Sequence, residues 1–289
     1  MSNPLKAELF TWIASYPKSG NTYLRLLLQA YRTNGVLDIN DVTSTVGDNT
    51  SFWFQNVSPL ALNKLTFATR LLLRPAALLN QLNSINTRMR LIKTHNANAA
   101  INGLPHLIPG ELTQRAVYIV RDPRDVVTSL QGYMNAGGMT IEEAAEKMAN
   151  EDYCIQSEDE LPQVVTSWSK HVNSWMGEER YPLAILKYED LCADPAGELK
   201  QVLEFCEIEV DEDRIAVAVE ACRIDRLHRQ EKDNGFREDR RETSGVPFFH
   251  KGGSRWRDEL PEHIARKIEA DHREVMLKFD YLEGVRAVG

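Results

Sequence analysis

The feature that most constrains this chain is a strand, a glycine turn and a helix in immediate succession. Phe10 to Ser15 (Phe-Thr-Trp-Ile-Ala-Ser) is a short apolar run suited to a buried strand, and Tyr16-Pro17-Lys18-Ser19-Gly20 punctuates it. Leu24, Leu27 and Leu28 then recur at helical spacing until Asn34-Gly35 ends the pattern. Strand, turn and helix in that order are the grammar of an α/β phosphate site. The first N–H groups of a helix have no intrahelical partners, the helix dipole is positive there, and Gly20 has no Cβ to keep an anion off the backbone. Lys18 adds a mobile cation, and Ser19 and Thr22 add hydroxyl donors. The segment is not a Walker A loop: G-x-x-x-x-G-K-[ST] has its lysine after the second glycine, whereas Lys18 precedes the only one. The alternative is an ordinary Pro-Gly turn capped by Asn21 or Thr22.

Composition limits what such a site can serve. The 289 residues carry a net charge of −8, unlike a surface built to coat nucleic acid, so a locally basic pocket for one anionic ligand is the form anion binding must take. Hydrophobic residues at 43% and charged residues at 26% describe a globular protein rather than a disordered one. Cys154, Cys192, Cys206 and Cys222 stand far apart without C-x-x-C or Cys/His spacing, so they read as core residues, not zinc ligands. Met1 to Leu9 has no apolar run of a secretory signal, and Phe67 to Leu79 is broken by Arg70, Arg74 and Pro75, short of a membrane span. A reducing cytoplasm is the expected setting.

Further along, residues 36–60 are rich in Asp, Asn, Thr and Ser and read as loop, and Leu60 to Leu82 reads as a helix interrupted at Pro75. Arg90 to Lys93, Ala116 to Val120 and Leu183 to Lys187 read as strands, the second being the continuous apolar run expected of a strand covered on both faces. Asp122 is placed to cap a helix with Pro123 in its first position. A short acidic helix is expected within residues 132–153, and an amphipathic segment over Leu161 to Met176. Helices are expected over Pro195 to Glu207, Asp211 to Cys222 and Pro261 to Phe279, and His228 sits in a polar helix. Lys232 to Arg257 reads as a long functional loop anchored by Phe248, Phe249 and Trp256. No repeat or long linker divides the chain, so one α/β domain over residues 1–289 is expected.

Four further segments bear on the anion site. Val117 to Val120 leads into Arg121-Asp122-Pro123-Arg124-Asp125, with Ser129 eight residues after Arg121; a guanidinium at a strand end and a hydroxyl in the next helix converge on one side. Lys93-Thr94-His95 ends one strand and Tyr188-Glu189-Asp190 follows another. His250-Lys251-Gly252-Gly253-Ser254-Arg255-Trp256 is a cationic, glycine-containing turn. Each alone has a plain structural explanation: a capped helix with local salt bridges, a satisfied core histidine, a core tyrosine with a cap, a solvated basic turn.

Together, and in this order, they resemble the sulfotransferases that use 3′-phosphoadenosine 5′-phosphosulfate. That family reads Y-P-K-S-G-T-T-W at its 5′-phosphosulfate loop, Arg and a Ser eight residues on at its 3′-phosphate site, K-[ST]-H at its general base, and R-K-G-x-x-G-D-W-K-N in its C-terminal loop. The resemblance implies a single P-loop-like α/β domain with a central, mostly parallel sheet flanked by helices. It implies sulfuryl transfer from that donor to a hydroxyl of a small-molecule acceptor, with no metal. His95, Lys18 and Lys93 match the catalytic positions. Lys18, Ser19, Gly20, Asn21, Thr22, Tyr23, Arg121, Ser129, Tyr188, His250, Lys251 and Gly252 match the cofactor-binding ones.

The departures are specific. Tyr23 stands for the adenine-stacking Trp, His250 for the first Arg of the last loop and Arg255 for its Asp. Arg223 and Ile224 fall where a Ser-Phe pair is usual, and Pro261 occupies the region of the K-x-x-x-T-V dimer motif. Residues 36–90 and 132–160, with Phe52, Trp53, Phe54, Met134 and Met139, have no matched motif and are expected to line the acceptor pocket, although core packing accounts for those side chains equally. Phenol, steroid, lipid, sugar and antibiotic hydroxyls remain open, as does the oligomeric state. The rival functions are a P-loop-type kinase, which needs a Walker lysine and a magnesium carboxylate, and a non-catalytic nucleotide-binding scaffold.

Overall fold

The computed structural model describes residues 9–84, 91–101, 103–134, 138–239, 248–249 and 255–282. The chain runs through β1 (Phe10–Ser15), α1 (Asn21–Arg32), β2 (Thr45–Gly47), α2 (Phe67–Ser84), β3 (Leu91–Thr94), β4 (Thr113–Val120), α3 (Pro123–Met134) and α4 (Ile141–Ala149). It continues through β5 (Cys154–Ile155), β6 (Gln163–Val164), α5 (Trp168–Met176), β7 (Leu183–Lys187), α6 (Tyr188–Ala193), α7 (Pro195–Phe205), α8 (Glu212–Ala221) and α9 (Ile224–Asn234). α10 (Trp256–Glu259), α11 (Glu262–Asp271) and α12 (Arg273–Lys278) close it.

Five strands form one parallel sheet in the order β2-β3-β1-β4-β7, so the central sheet with flanking helices is as expected. Side chains alternate between the two faces with the period of the strand. Phe10, Trp12 and Ala14 of β1 and Ala116, Tyr118 and Val120 of β4 enter one core with residues of α3, α4, α5, α11 and α12. Ile13, Val117 and Ile119 enter the other with α1, α7 and α8. Burial on both faces is why these strands read as unbroken apolar runs.

Several boundaries differ from the sequence reading. β2 lies within the span read as loop: its three residues become a strand through pairing with β3, a tertiary cause that local composition does not carry. α2 starts at Phe67 and continues through Pro75 rather than breaking there. The stretch read as amphipathic from Leu161 splits into β6 and α5, the first paired antiparallel with β5. The last helix divides at His272, and α9 extends to Asn234, into the span read as loop. Arg90 lies outside the described residues. α1 ends as expected: Asn34 (φ 51°) and Gly35 (φ 84°) take the left-handed conformation, and the Gly35 N–H returns to the Ala30 carbonyl at 2.8 Å. All four cysteines are free thiols; Cys222 is buried and the others half-buried, and burial pushes the Cys222 and Cys206 thiols up to about 12.

Two core histidines give the fold a defined acid response. His171 is fully buried and held down at about 3, and burial also lowers His272, to about 4. An unfolded histidine titrates near 6.5, so below that pH the unfolded chain binds protons that the native state refuses, down to the folded values. Stability therefore falls as pH drops through this window, by roughly 1.4 kcal/mol per pH unit per histidine. The melting temperature is expected to fall between pH 7 and pH 5, and His272→Gln to shallow that fall; an unchanged pH slope in the variant contradicts the assignment.

Candidate active site

Because the central strands are parallel, their C-terminal ends share one edge. Ala14 pairs with Thr94, Ser15 with Ile119 and Val120 with Lys187. The residues that follow (Tyr16 to Thr22, His95, Arg121 and Tyr188) therefore meet there, at the edge where open α/β sheets bind ligands.

The turn after β1 is held in an unusual backbone state. Lys18 (φ 68°) and Gly20 (φ 95°) are both left-handed, the Ser19 N–H donates to the Tyr16 carbonyl at 3.3 Å, and the Tyr23 and Leu24 N–H groups return to the Gly20 carbonyl. Asn21 locks the turn to its strand, its amide donating to the Ile13 carbonyl at 3.0 Å and to Ser15 Oγ at 3.4 Å. Asn21 thus serves the loop's shape. Gly20 is required for space as well as dihedral: a Cβ there would stand 2.2 Å from Tyr188 Cδ2. The Tyr188 ring in turn lies 4.4 Å under the Arg121 guanidinium, whose Nη1 donates to the Lys18 carbonyl at 3.1 Å. Three motifs distant in sequence are thereby stacked on one another.

Three buried donors of these residues make no hydrogen bond among the described residues: Tyr16 Oη and Ser19 Oγ, in residues with no exposed surface, and Arg121 Nε, in one 5% exposed. Unsatisfied buried donors carry a desolvation cost, and a phosphate brought against the loop would supply acceptors to Ser19 and Arg121. Lys18 Nζ rests 4.3 Å from the centre of the Phe248 ring.

His95 stands immediately after β3. Its Nδ1 lies 2.9 Å from the Ser15 carbonyl and 3.3 Å from Ser15 Oγ. A carbonyl only accepts, so the ring proton is on Nδ1 and Nε2 keeps its lone pair. Burial, then the neighbouring Lys93 ammonium, hold His95 well below the ordinary histidine range, so it is neutral. Burial and then Arg25 also lower Lys93. Behind the histidine, His171 Nε2 donates to the His95 carbonyl at 3.2 Å while His171 Nδ1 accepts from the Tyr118 hydroxyl at 2.8 Å.

The next layer escaped the sequence reading. Asp48, 2% exposed, pairs with the buried Arg74 and accepts from Thr94 Oγ1 at 2.5 Å and from the Asn96 amide at 3.0 Å. It fixes residues on both sides of His95. Arg25 and Glu238 form an ion pair beside Lys93. Arg25 had a legible signal, a lone charge in the apolar run Leu24 to Leu28; Asp48 and Glu238 sit in polar stretches where a carboxylate is unremarkable.

Other expected residues fall at varying distance from this cluster. Thr22 donates to Glu238 Oε2 at 3.4 Å, Tyr23 is half-buried on α1, and Ser129 is half-buried on α3. Arg223 is exposed and paired with Asp225 and Glu220; Ile224 opens α9. Arg255 pairs with Glu259 at 2.6 Å. Phe248 and Phe249 do anchor their segment, packing on Phe236 at 4.7 and 4.9 Å, and Trp256 lies 3.8 Å under Arg124. His250, Lys251 and Gly252 lie outside the described residues. Phe54 is buried with Leu62, Ala77 and Leu161, while Phe52 is 58% exposed. Among the described residues no cluster of three or more His, Cys, Asp or Glu is arranged to hold a metal ion, and no helix is long and apolar enough to cross a membrane.

The fold and this edge define a sulfotransferase-type architecture, and comparison with known proteins agrees. The sulfotransferase domain profile matches residues 10–280, and the chain belongs to the sulfotransferase family. Cytosolic sulfotransferase 7 of Arabidopsis thaliana is 29% identical over 210 residues, covering 70% of this chain but 57% of that protein, so the match spans a little over half of the plant relative. Sulfotransferase 1 family member D1 of Rattus norvegicus is 24% identical over 279 residues, 92% of this chain and 84% of the rat protein. Among solved structures, retinol dehydratase in complex with retinol and PAP superposes with a TM-score of 0.65 at 19% identity, covering 94% of this chain and 82% of that one. Mouse sulfotransferase SULT7A1 complexed with PAP gives 0.62 at 19% identity, covering 95% and 86%.

Gly20→Ala adds a methyl group that collides with the Tyr188 ring at a left-handed φ. It is expected to lower the melting temperature by several degrees, corresponding to about 1–3 kcal/mol, and to weaken binding of adenosine 3′,5′-bisphosphate measured by calorimetry.

Proposed function

We propose that this chain transfers a sulfuryl group from 3′-phosphoadenosine 5′-phosphosulfate to a hydroxyl of a small-molecule acceptor. The observation that carries the reading is the placement of a neutral His95, its Nε2 lone pair unprotonated, on the same sheet edge as the Lys18 to Thr22 loop with its unsatisfied Ser19 and Arg121 donors.

Roles follow from that chemistry. Ser19, Thr22 and the N–H groups at the start of α1 hold the 5′-phosphate oxygens of the donor. Tyr188 and Tyr23 offer aromatic faces to the adenine, and Arg121, with Ser129 and Lys251, selects the 3′-phosphate. His95 Nε2 takes the acceptor's hydroxyl proton, and the freed oxygen forms its bond to sulfur as the bond from sulfur to the bridging phosphate oxygen breaks. Lys18 offsets the negative charge that collects on the departing phosphate, and Lys93 stabilises the sulfuryl oxygens in transit. Gly20 permits the close approach, Asn21 fixes the loop, and His250 and Gly252 complete the 3′-phosphate clasp. The chain acts as one domain in the cytoplasm. Segments 36–90 and 132–160 contribute to the acceptor pocket. An apolar, hydroxyl-bearing acceptor suits the reading, since retinol and androsterone are seen in retinol dehydratase structures. The kinase reading is disfavoured by the position of Lys18 before its glycine, and the scaffold reading by the prepared tautomer of His95.

Two measurements test this. Adenosine 3′,5′-bisphosphate is expected to raise the melting temperature more than ADP with magnesium; the reverse order overturns the donor assignment. His95→Ala is expected to lower kcat by about 10²–10⁴-fold while leaving bisphosphate affinity within a few fold, and retention of the wild-type rate removes His95 as the base.

A further inference from the structure

Glu238 follows α9 and lies more than two hundred positions from the loop after β1, yet its carboxylate reaches that loop. Arg25 Nη1 donates to Oε1 at 2.8 Å and to Oε2 at 3.0 Å. Oε2 also accepts from Thr22 Oγ1 at 3.4 Å and lies 3.8 Å from Lys93 Nζ. Two of these three partners, Thr22 and Lys93, are assigned above to the 5′-phosphate and the sulfuryl oxygens. A carboxylate and a sulfuryl group present the same face to such donors: negatively charged oxygens that accept and never donate. The Arg25 charge disfavours the Lys93 ammonium, and the Glu238 charge opposes that effect.

The carboxylate is also free to leave. Its side chain is 35% exposed, whereas its segment is tied down by other atoms. Asn40 Nδ2 donates to the Gly235 carbonyl at 3.0 Å, Asn40 Oδ1 accepts the Arg237 N–H at 2.7 Å, and Phe236 packs on Phe248 and Phe249. Rotation of Glu238 about its own side-chain bonds vacates the position with the backbone in place.

We propose that Glu238 is an internal stand-in for the donor's sulfuryl group: its carboxylate occupies the Arg25, Thr22 and Lys93 donors in the empty site, yields to the incoming donor, and returns once the sulfuryl group has left. On return it places a negative charge beside the 5′-phosphate that the product retains, which speeds release of the bisphosphate and holds down product inhibition. This role rests on the donor site proposed above.

The test is calorimetric binding of adenosine 3′,5′-bisphosphate to the wild type, Glu238→Gln and Glu238→Ala, with melting temperatures of all three without ligand. Loss of the competing charge is expected to tighten binding by about three- to tenfold in both variants. Equal affinity in all three proteins overturns the stand-in role while leaving the donor site intact. Weaker binding in both variants, with a lowered ligand-free melting temperature, makes Glu238 a structural clasp and also overturns it. Absence of bisphosphate binding to the wild type overturns the donor site itself and this role with it.

Discussion

Parallel pairing of β1 with β3 on one side and β4 on the other is the constraint from which the rest of the molecule follows. Parallel strands require crossovers, crossovers bury both faces of the sheet, and all the C-terminal ends then lie along one edge. The loop after β1, the histidine after β3 and the arginine after β4 become neighbours for that reason alone. None of the three needs the others in order to form locally. Their meeting is a property of strand order, which explains how motifs scattered from Tyr16 to Tyr188 share one edge.

A second tier of order comes from a buried charge. Asp48 lies at the end of β2, and its carboxylate is taken up by Arg74 of α2, Thr94 of β3 and the side chain of Asn96. Asn96 passes the connection on, its Oδ1 accepting the Val164 N–H at 2.8 Å. An unpaired carboxylate at 2% exposure is costly, so these elements are held to a single arrangement around it. His95 is framed by Thr94 and Asn96, both fixed by the same carboxylate, and its own carbonyl is fixed by His171.

Legibility in the sequence divides along the same line between local and tertiary causes. β1 and β4 were readable because burial on two faces leaves an unbroken apolar run, and the end of α1 because Asn34 and Gly35 carry a left-handed turn. The candidate loop residues were readable because their spacing is local. β2 was not, since a three-residue strand is defined by its neighbour, and α2 was misread because tertiary packing carries the helix past Pro75. Arg74 is one of two arginines in a largely apolar helix, and its meaning depends on Asp48, 26 positions away. Glu238 sits in a mixed-charge stretch and acquires its role only when folding brings it to Arg25. The net charge of −8 likewise hides the cationic edge formed by Lys18, Arg25, Lys93 and Arg121.

The bond between His95 Nδ1 and the Ser15 carbonyl has one more consequence. Many enzymes orient a histidine with a carboxylate, which also raises the ring's proton affinity and can itself titrate. A peptide carbonyl carries no net charge and has no proton to gain in the range where the protein is folded, so the partner that aims the ring never titrates. It raises the proton affinity of His95 only as an accepting dipole, and burial and then Lys93, which lower it, outweigh that pull. One pose of the ring therefore serves from mildly acidic to alkaline solution, without a second ionisable group in the pair.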